Sequence, residues 1–120
     1  MNVQQALMQH GEWKLRFRTA IVERQALDEE AACSDRRCAL GSWLHGEARE
    51  QFGHLESYQD CRTKHAAFHE EAGKIAKTIN TGNYPEAEAQ LGLSSPFSVI
   101  SGGLAAALIK LKKETESGDY

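Results

Sequence analysis

Two histidines four residues apart, His65 and His69, are the residues of this chain whose types and spacing suggest chemistry most directly. On a helix, side chains four positions apart project from one face, so both imidazoles can reach the same metal ion. A third histidine, His10, falls on the apolar stripe of an earlier helical segment, where a polar side chain needs a reason. Together with Cys38, these residues suggest a tetrahedral zinc site inside a helical bundle.

Spacing alone leaves the choice of the cysteine ligand open, because the chain also contains Cys33 and Cys61. Cys61, His65 and His69 lie along one line of a helix, but positions 61 and 69 are about 12 Å apart. Ligands at roughly 2.0–2.3 Å from one zinc cannot span that distance, so the metal would use the 61/65 pair or the 65/69 pair. Cys33 lies in a polar segment without an apolar anchor. Cys38 begins a segment that contains a tryptophan, and this fixed position favours it.

The proposed set of ligands also limits which metals can bind and which reactions the site can support. One thiolate with three imidazoles favours zinc over magnesium or calcium, although copper and nickel would also bind such a set. Four protein ligands leave no position for a reactive water, and Glu70 follows the second histidine instead of forming the His-Glu-x-x-His pattern. We therefore expect a protein that is not an enzyme. In the metal-free alternative, these histidines are packed in the core without a metal. This alternative predicts that His65→Ala does no more damage than an ordinary core substitution.

Composition predicts one soluble domain. The chain has 120 residues, of which 41% are hydrophobic and 26% charged, with a net charge of −3 and no basic patch. We expect neither a nucleic-acid nor a membrane partner, since the most apolar segment, 104–111, is far shorter than a membrane span and contains Lys110. The N-terminus lacks the pattern of a signal peptide, and three cysteines without a Cys-x-x-Cys pair suggest the reducing cytoplasm.

Apolar residues recur every three or four positions in several segments, which predicts helices and no strand. The predicted helices cover residues 2–27, a short stretch from Cys38 to Gly46, 47 or 55 to 80, 84–91, and a last segment from about 97 to 113. Residues 28–37 are predicted to be a loop or a loose helix end, and Ser94 or Ser95 is a candidate cap of the last helix. The fold class is all-α, an antiparallel four-helix-type bundle with an additional short helix that carries the cysteine. We expect a single domain over 1–120, with its core at about 3–113 and a frayed tail at 114–120.

The strings HGEWK, CALGSWLHGE and HAAFHEEA, in this order and spacing, resemble the chemoreceptor zinc-binding (CZB) domain of bacteria. The resemblance extends from His10 to the final helix. Its most specific part is Cys-Ala-Leu-Gly-Ser-Trp-Leu followed later by His-x-x-x-His. It implies a helical bundle that binds one zinc through three histidines and one cysteine, with the ligands at His10, Cys38, His65 and His69. Four further residues match no ligand position: Cys33, His45, His54 and Cys61.

The same resemblance implies a cytoplasmic signalling domain. Members of the family are attached to chemotaxis receptors or to diguanylate cyclases, where zinc occupancy or oxidation of the cysteine, for example by hypochlorous acid, alters output. This chain carries no receptor coiled coil and no cyclase domain, so we expect a stand-alone member or a piece of a longer protein. The expected partners are a second copy of the chain and a signalling protein of the chemoreceptor or diguanylate cyclase type, in cis or in trans. The alternatives are a zinc buffer without a conformational response and a metal-free helical adaptor or dimerisation module.

Overall fold

The computed structural model describes residues 3–36 and 38–116, and the secondary structure of these residues is helical without a strand. The expected all-α bundle is confirmed. Three helices are long and four are short. In chain order they are α1 (Val3–Glu23), α2 (Glu29–Cys33), α3 (Ala39–His45), α4 (Glu47–Phe52), α5 (Glu56–Asn80), α6 (Tyr84–Gln90) and α7 (Pro96–Glu116).

The core lies between the three long helices, and α5 is its central element because it packs most extensively on α7 and α2. Three phenylalanines, one from each long helix, meet there. The ring of Phe97 lies 5.7 Å from Phe17 and 5.2 Å from Phe68, measured between ring centroids. Phe68 also contacts the ring of His10 edge-on at 5.1 Å. The candidate ligands are therefore continuous with the hydrophobic core.

The predicted second long helix begins later than one of its two expected starts. A separate short helix, α4, occupies residues 47–52, and α5 starts at Glu56 with Leu55 in an extended conformation as its N-cap. Gly53 lies at the break, where a Cβ atom would fall 2.4 Å from the carbonyl oxygen of Arg49. The start at Glu47 is thus wrong and the start near Leu55 is right. The end at Asn80 agrees with the prediction.

Residues 28–37 contain a helix that we did not predict. Asp28 caps α2 by accepting a hydrogen bond from the backbone N–H of Ala31 at 3.1 Å, and the helix ends at Cys33. Only Ala32 of α2 is buried, so the segment has no apolar period that a sequence pattern could reveal. The helix packs against α5 where Gly73 leaves room: a Cβ atom there would lie 2.5 Å from the Cβ of Cys33.

Helix α1 ends at Glu23, four residues before the predicted position 27. Arg24 has a φ of 56°, in the left-handed region, and the N–H of Gln25 donates to the carbonyl of Ala20 at 3.0 Å. This is the hydrogen-bond pattern of a Schellman C-cap, built here without a glycine. The sequence therefore gave no signal for the stop.

The last helix is capped as expected, since the Oγ of Ser95 accepts a hydrogen bond from the N–H of Ser98 at 3.3 Å. Helix α7 continues to Glu116, three residues beyond the predicted core boundary at 113. The rest of the predicted frayed tail, residues 117–120, lies outside the described residues. Within 3–36 and 38–116, no helix combines the length and apolar character needed to cross a bilayer.

Candidate metal centre

Four side chains from three parts of the fold converge in the core: His10 from α1, Cys38 from the N-cap of α3, and His65 and His69 from α5. Their ligand atoms all lie within 4.8 Å of one another. The Sγ of Cys38 is 3.8, 3.3 and 3.7 Å from the Nε2 atoms of His10, His65 and His69. In a tetrahedral site with usual zinc bond lengths, sulfur and nitrogen stand about 3.6 Å apart. The four donors therefore fit a single zinc ion.

Two of the histidines are oriented by backbone carbonyls. The Nδ1 of His10 donates to the carbonyl oxygen of Ala6, and the Nδ1 of His69 donates to that of Ala32, both at 2.8 Å. A carbonyl oxygen can only accept, so the ring proton lies on Nδ1 and the lone pair of Nε2 faces the cluster. Such a second hydrogen bond is the usual way in which proteins fix a metal-binding imidazole.

His65 is held differently, because its buried Nδ1 has no hydrogen-bond partner among the described residues. Burial lowers the pKa of His65 to about 3, and the neighbouring His69 and His10 add to the shift. Burial also lowers the pKa values of His10 and His69. All three imidazoles are thus neutral at pH 7, which is the state that binds metal.

Among the four candidate ligands, Cys38 is the one that must lose a proton to bind a metal. Burial raises the pKa of its thiol, while the backbone N–H of Gly41, 3.3 Å from the Sγ, acts in the opposite direction. This position follows from the N-cap geometry, which directs the sulfur toward the amides of the first turn of α3. Zinc binding at neutral pH therefore releases the Cys38 proton.

Zinc affinity should consequently rise with pH. Between pH 6 and 8 the Cys38 thiol is protonated and the imidazole of His65, with a pKa of about 3, is not. We expect the apparent association constant to increase about tenfold per pH unit, since one proton leaves per zinc bound. Titration with zinc at several pH values in non-coordinating buffers measures the slope. A flat profile would mean that no thiolate ligates the metal.

The other candidate residues lie outside the cluster. Cys61 is fully buried one turn before His65, and burial raises the pKa of its thiol to about 12. Cys33 is exposed at the end of α2. The Nε2 of His45 is 3.2 Å from a carboxylate oxygen of Asp35, and His54 is exposed in the turn before α5. The structure thus brings together the four residues predicted as ligands and keeps these others apart.

Two features of the centre were missed by sequence reasoning, namely the carbonyl groups of Ala6 and Ala32 that orient the imidazoles. Every residue carries a carbonyl group, so nothing in the sequence distinguishes these two. The placement of Ala6 four residues before His10 on a helix is compatible with such a contact but does not identify it.

An all-α bundle with three histidines and one cysteine converging in its core defines a zinc-binding helical domain. A family model described as "Chemoreceptor zinc-binding domain" (CZB) matches residues 10–76, which is more than half of the chain. The chain belongs to this family. Neither the curated proteins nor the solved structures gave a match. The family is one of signalling domains and not a catalytic one, so the chain is a zinc-binding signalling domain with a candidate zinc site at the cluster described above.

Proposed function

We propose that the chain is a zinc-dependent switch in which metal occupancy and the oxidation state of Cys38 set the arrangement of the helices. The proposal rests on the observation that the candidate ligands come from three separate elements. His10 lies on α1, Cys38 at the N-cap of α3, and His65 and His69 on α5. A metal bound to all of them ties α1, α3 and α5 together and stabilises one arrangement by its differential affinity. His10, Cys38, His65 and His69 are the ligands of this proposal.

The moving element of this switch is α3. A helix of seven residues cannot stand alone, so α3 depends on what holds it at each end. At its C-terminal end the hydroxyl of Tyr58 donates to the carbonyl of Leu44 at 2.6 Å. At its N-terminal end Leu40 packs in the core, and Cys38 adds a link to the bundle through the metal. Loss of zinc releases that end and leaves the other attached.

Oxidation of Cys38 releases the same N-terminal end of α3 by a different chemical route. Cys38 is the ligand that an oxidant such as hypochlorous acid can convert to a sulfenic acid, which no longer binds zinc as a thiolate. The residue is partly buried and lines a surface groove together with Trp13, Arg16 and His69. This groove gives small molecules access to the sulfur. Zinc occupancy and oxidant are therefore two inputs to one element.

Hydrogen exchange tests the movement of α3. We expect amides in residues 38–46 to exchange at least about tenfold faster after zinc removal, because the free energy of opening that segment falls by more than about 1.4 kcal/mol. The α5 segment around Ile75 and Ile79 serves as the internal control and should change little, since it lies in the core. Unchanged exchange at 38–46 would leave a zinc buffer, which binds metal without a conformational response.

Family membership supports a signalling protein as the partner. We propose that the domain regulates a protein of the chemoreceptor or diguanylate cyclase type, in cis or in trans, in the cytoplasm, with chemotaxis or cyclic di-GMP signalling as the output. The regulated unit is the whole bundle as one domain. Phe97 of α7, outside the family match, packs on Phe17 and Phe68 within it, which supports a single core over about residues 3–113.

The exposed face of α1 and α7 supports a homodimer. Five of the six large hydrophobic side chains that are exposed among the described residues lie on these two helices, namely Met8, Leu15, Val22, Val99 and Ile109. The three on α1 recur every seven residues, at one position of each heptad, so they form one narrow apolar seam along the helix. Antiparallel pairing about Leu15 brings Met8 of one copy level with Val22 of the other. In the antiparallel arrangement, the exposed apolar side chains of one α1 helix therefore face the same side chains of the second copy.

The charges beside this seam favour the antiparallel arrangement. Glu12 and Arg18 flank Leu15 at equal distances along α1. Parallel pairing sets each of these charges level with its own copy, and like charges across a seam are unfavourable. Antiparallel pairing sets Glu12 level with Arg18 of the second copy.

The substitution Leu15→Glu should convert a dimer into a monomer, because it introduces a charge at the centre of the seam. Leu15 is 65% exposed in the single chain, so the substitution should cost little monomer stability. Light scattering coupled to size-exclusion chromatography measures the mass. Leu93→Glu is the matched control, since Leu93 is 88% exposed in the turn between α6 and α7. A dimer that survives Leu15→Glu excludes this face as the interface.

A further inference from the structure

The ring of His69 lies between the two segments that carry Cys33 and Cys38. Its Nδ1 donates to the carbonyl oxygen of Ala32, the residue before Cys33, at 2.8 Å. Its Nε2 is 3.7 Å from the Sγ of Cys38. Because an imidazole ring is only about 2 Å across, the Ala32 carbonyl oxygen and the Cys38 sulfur are at most about 9 Å apart, and a disulfide requires the two cysteine Cα atoms to come within about 4.4–6.8 Å of each other.

Cys33 is the cysteine closest to Cys38 in the sequence. It is exposed, and its sulfur makes only a long contact of 3.6 Å with the carbonyl oxygen of Glu30. Cys61, the other spare thiol, is fully buried in the core, and burial raises its pKa to about 12. Four residues separate Cys33 from Cys38 in the sequence, and closing so short a loop carries a small entropic cost. Once Cys38 is no longer a metal ligand, the short connection between the two cysteines allows their sulfurs to approach.

We propose that Cys33 is the resolving thiol of the zinc centre, forming a reversible disulfide with Cys38 after an oxidant of the hypochlorous acid class attacks it. This inference rests on the proposed redox function and names the second residue that it requires. In the first step the Cys38 thiolate and hypochlorous acid give the Cys38 sulfenic acid and chloride, and zinc loses its sulfur ligand. In the second step the Cys33 sulfur attacks the sulfenic sulfur, the S–S bond forms, and the hydroxyl leaves with the Cys33 proton as water.

The disulfide makes the oxidation of Cys38 reversible. Two electrons pass from the two thiols to the oxidant, and a dithiol reductant restores both cysteines. A sulfenic acid without a resolving thiol is oxidised further to a sulfinic acid, which such reductants do not reverse. The pair also moves Cys38 away from the imidazoles, so the oxidised state excludes zinc until it is reduced.

The positions of the arginines make the linkage directly measurable. Trypsin cuts after Arg36 and Arg37, which separates Cys33, in peptide 25–36, from Cys38, in peptide 38–49. Cys61 falls in a third peptide, 50–62. The zinc-loaded full chain is treated with one equivalent of hypochlorous acid, its remaining thiols are blocked, and the digest is analysed by mass spectrometry without reduction. We expect peptide 25–36 linked to 38–49, release of zinc, and recovery of zinc binding after dithiothreitol.

Two variants separate this role from a structural one. The wild type and the variants then receive two equivalents of hypochlorous acid, because a sulfinic acid requires two successive two-electron oxidations of the sulfur. Cys33→Ser should bind zinc as the wild type does when reduced, but after this treatment it should carry a Cys38 sulfinic acid and fail to recover with dithiothreitol. Cys61→Ser should behave as the wild type throughout. The inference is overturned if 38–49 links to 50–62, if the linkage joins two chains, if wild-type Cys38 ends as a sulfinic acid, or if Cys33→Ser recovers fully. Failure of the reduced wild type to bind zinc would instead contradict the proposed function.

Discussion

The substitution His65→Ala is expected to lower the affinity for zinc on the order of 100-fold or more. Structural zinc sites contribute about 10–16 kcal/mol in total, so one of four ligands accounts for roughly 3 kcal/mol, and each 1.4 kcal/mol is tenfold. His65 is fully buried, and its Nε2 is the closest of the three imidazole nitrogens to the Cys38 sulfur, at 3.3 Å. Competition with a chromogenic chelator measures the change.

The metal-free protein should respond to the same substitution in a milder way. The Nδ1 of His65 is buried without a partner among the described residues, so removing the ring also removes an unsatisfied polar group and offsets part of the cavity cost. The matched control is His54→Ala, which removes an exposed histidine and should leave zinc affinity unchanged. Equal losses of affinity in both variants, or none in His65→Ala, would contradict the ligand assignment.

The substitution Gly41→Ala is expected to destabilise the protein severely, although Gly41 is not a candidate ligand. A Cβ atom at Gly41 would clash with the carbonyl oxygen of Asp35 and lie 2.7 Å from its carbonyl carbon. Both are backbone atoms, so the first turn of α3 must move away from the segment before it. We expect a loss of about 2–4 kcal/mol in the free energy of unfolding, in the range of severe packing defects.

Zinc affinity should fall together with stability in Gly41→Ala, because the same movement displaces Cys38, whose Sγ accepts a hydrogen bond from the N–H of Gly41. Gly102→Ala is the matched control. No atom lies within 4 Å of a Cβ atom placed at Gly102 in α7, and alanine is the better helix former by about 0.5–1 kcal/mol. Urea unfolding of both variants, with and without zinc, measures the effects. A neutral Gly41→Ala would show that α3 is free to shift without cost.

The long amphipathic helices and the candidate ligands could be predicted because they leave a periodic signal. The stripe of α5 runs through Tyr58, His65, Phe68 and Ile75, and all of these are buried. A histidine on such an apolar stripe is conspicuous in the sequence, as His10 is on α1. On α5, the spacing of four residues between His65 and His69 indicates that both face one metal ion.

The short helix α2 and the end of α1 could not be predicted, for equally physical reasons. Helix α2 has five residues and buries only Ala32, so it has no period, and its position depends on the room that Gly73 leaves on α5. The left-handed Arg24 ends α1 without the glycine that usually marks such a stop. These features arise from tertiary contacts, and they include the carbonyl of Ala32 that orients His69.

The unpredicted helix α2 changes how the centre works. It supplies the acceptor for His69 and ends at Cys33, so the shell around the metal and the spare thiol belong to one five-residue element. The hydrogen bond from His69 to Ala32 therefore joins a candidate metal ligand directly to the helix that carries Cys33. Sequence reasoning treated the segment as a loop and had no reason to connect the two.

The central claim is that one zinc binds to three histidines and Cys38. Its most direct test is a zinc titration of the metal-free wild type, Cys38→Ala and Cys61→Ala against a chromogenic chelator. We predict one tightly bound zinc per chain in the wild type, a large loss of affinity in Cys38→Ala, and wild-type affinity in Cys61→Ala. A wild type that does not compete for zinc, or a loss confined to Cys61→Ala, would contradict the claim.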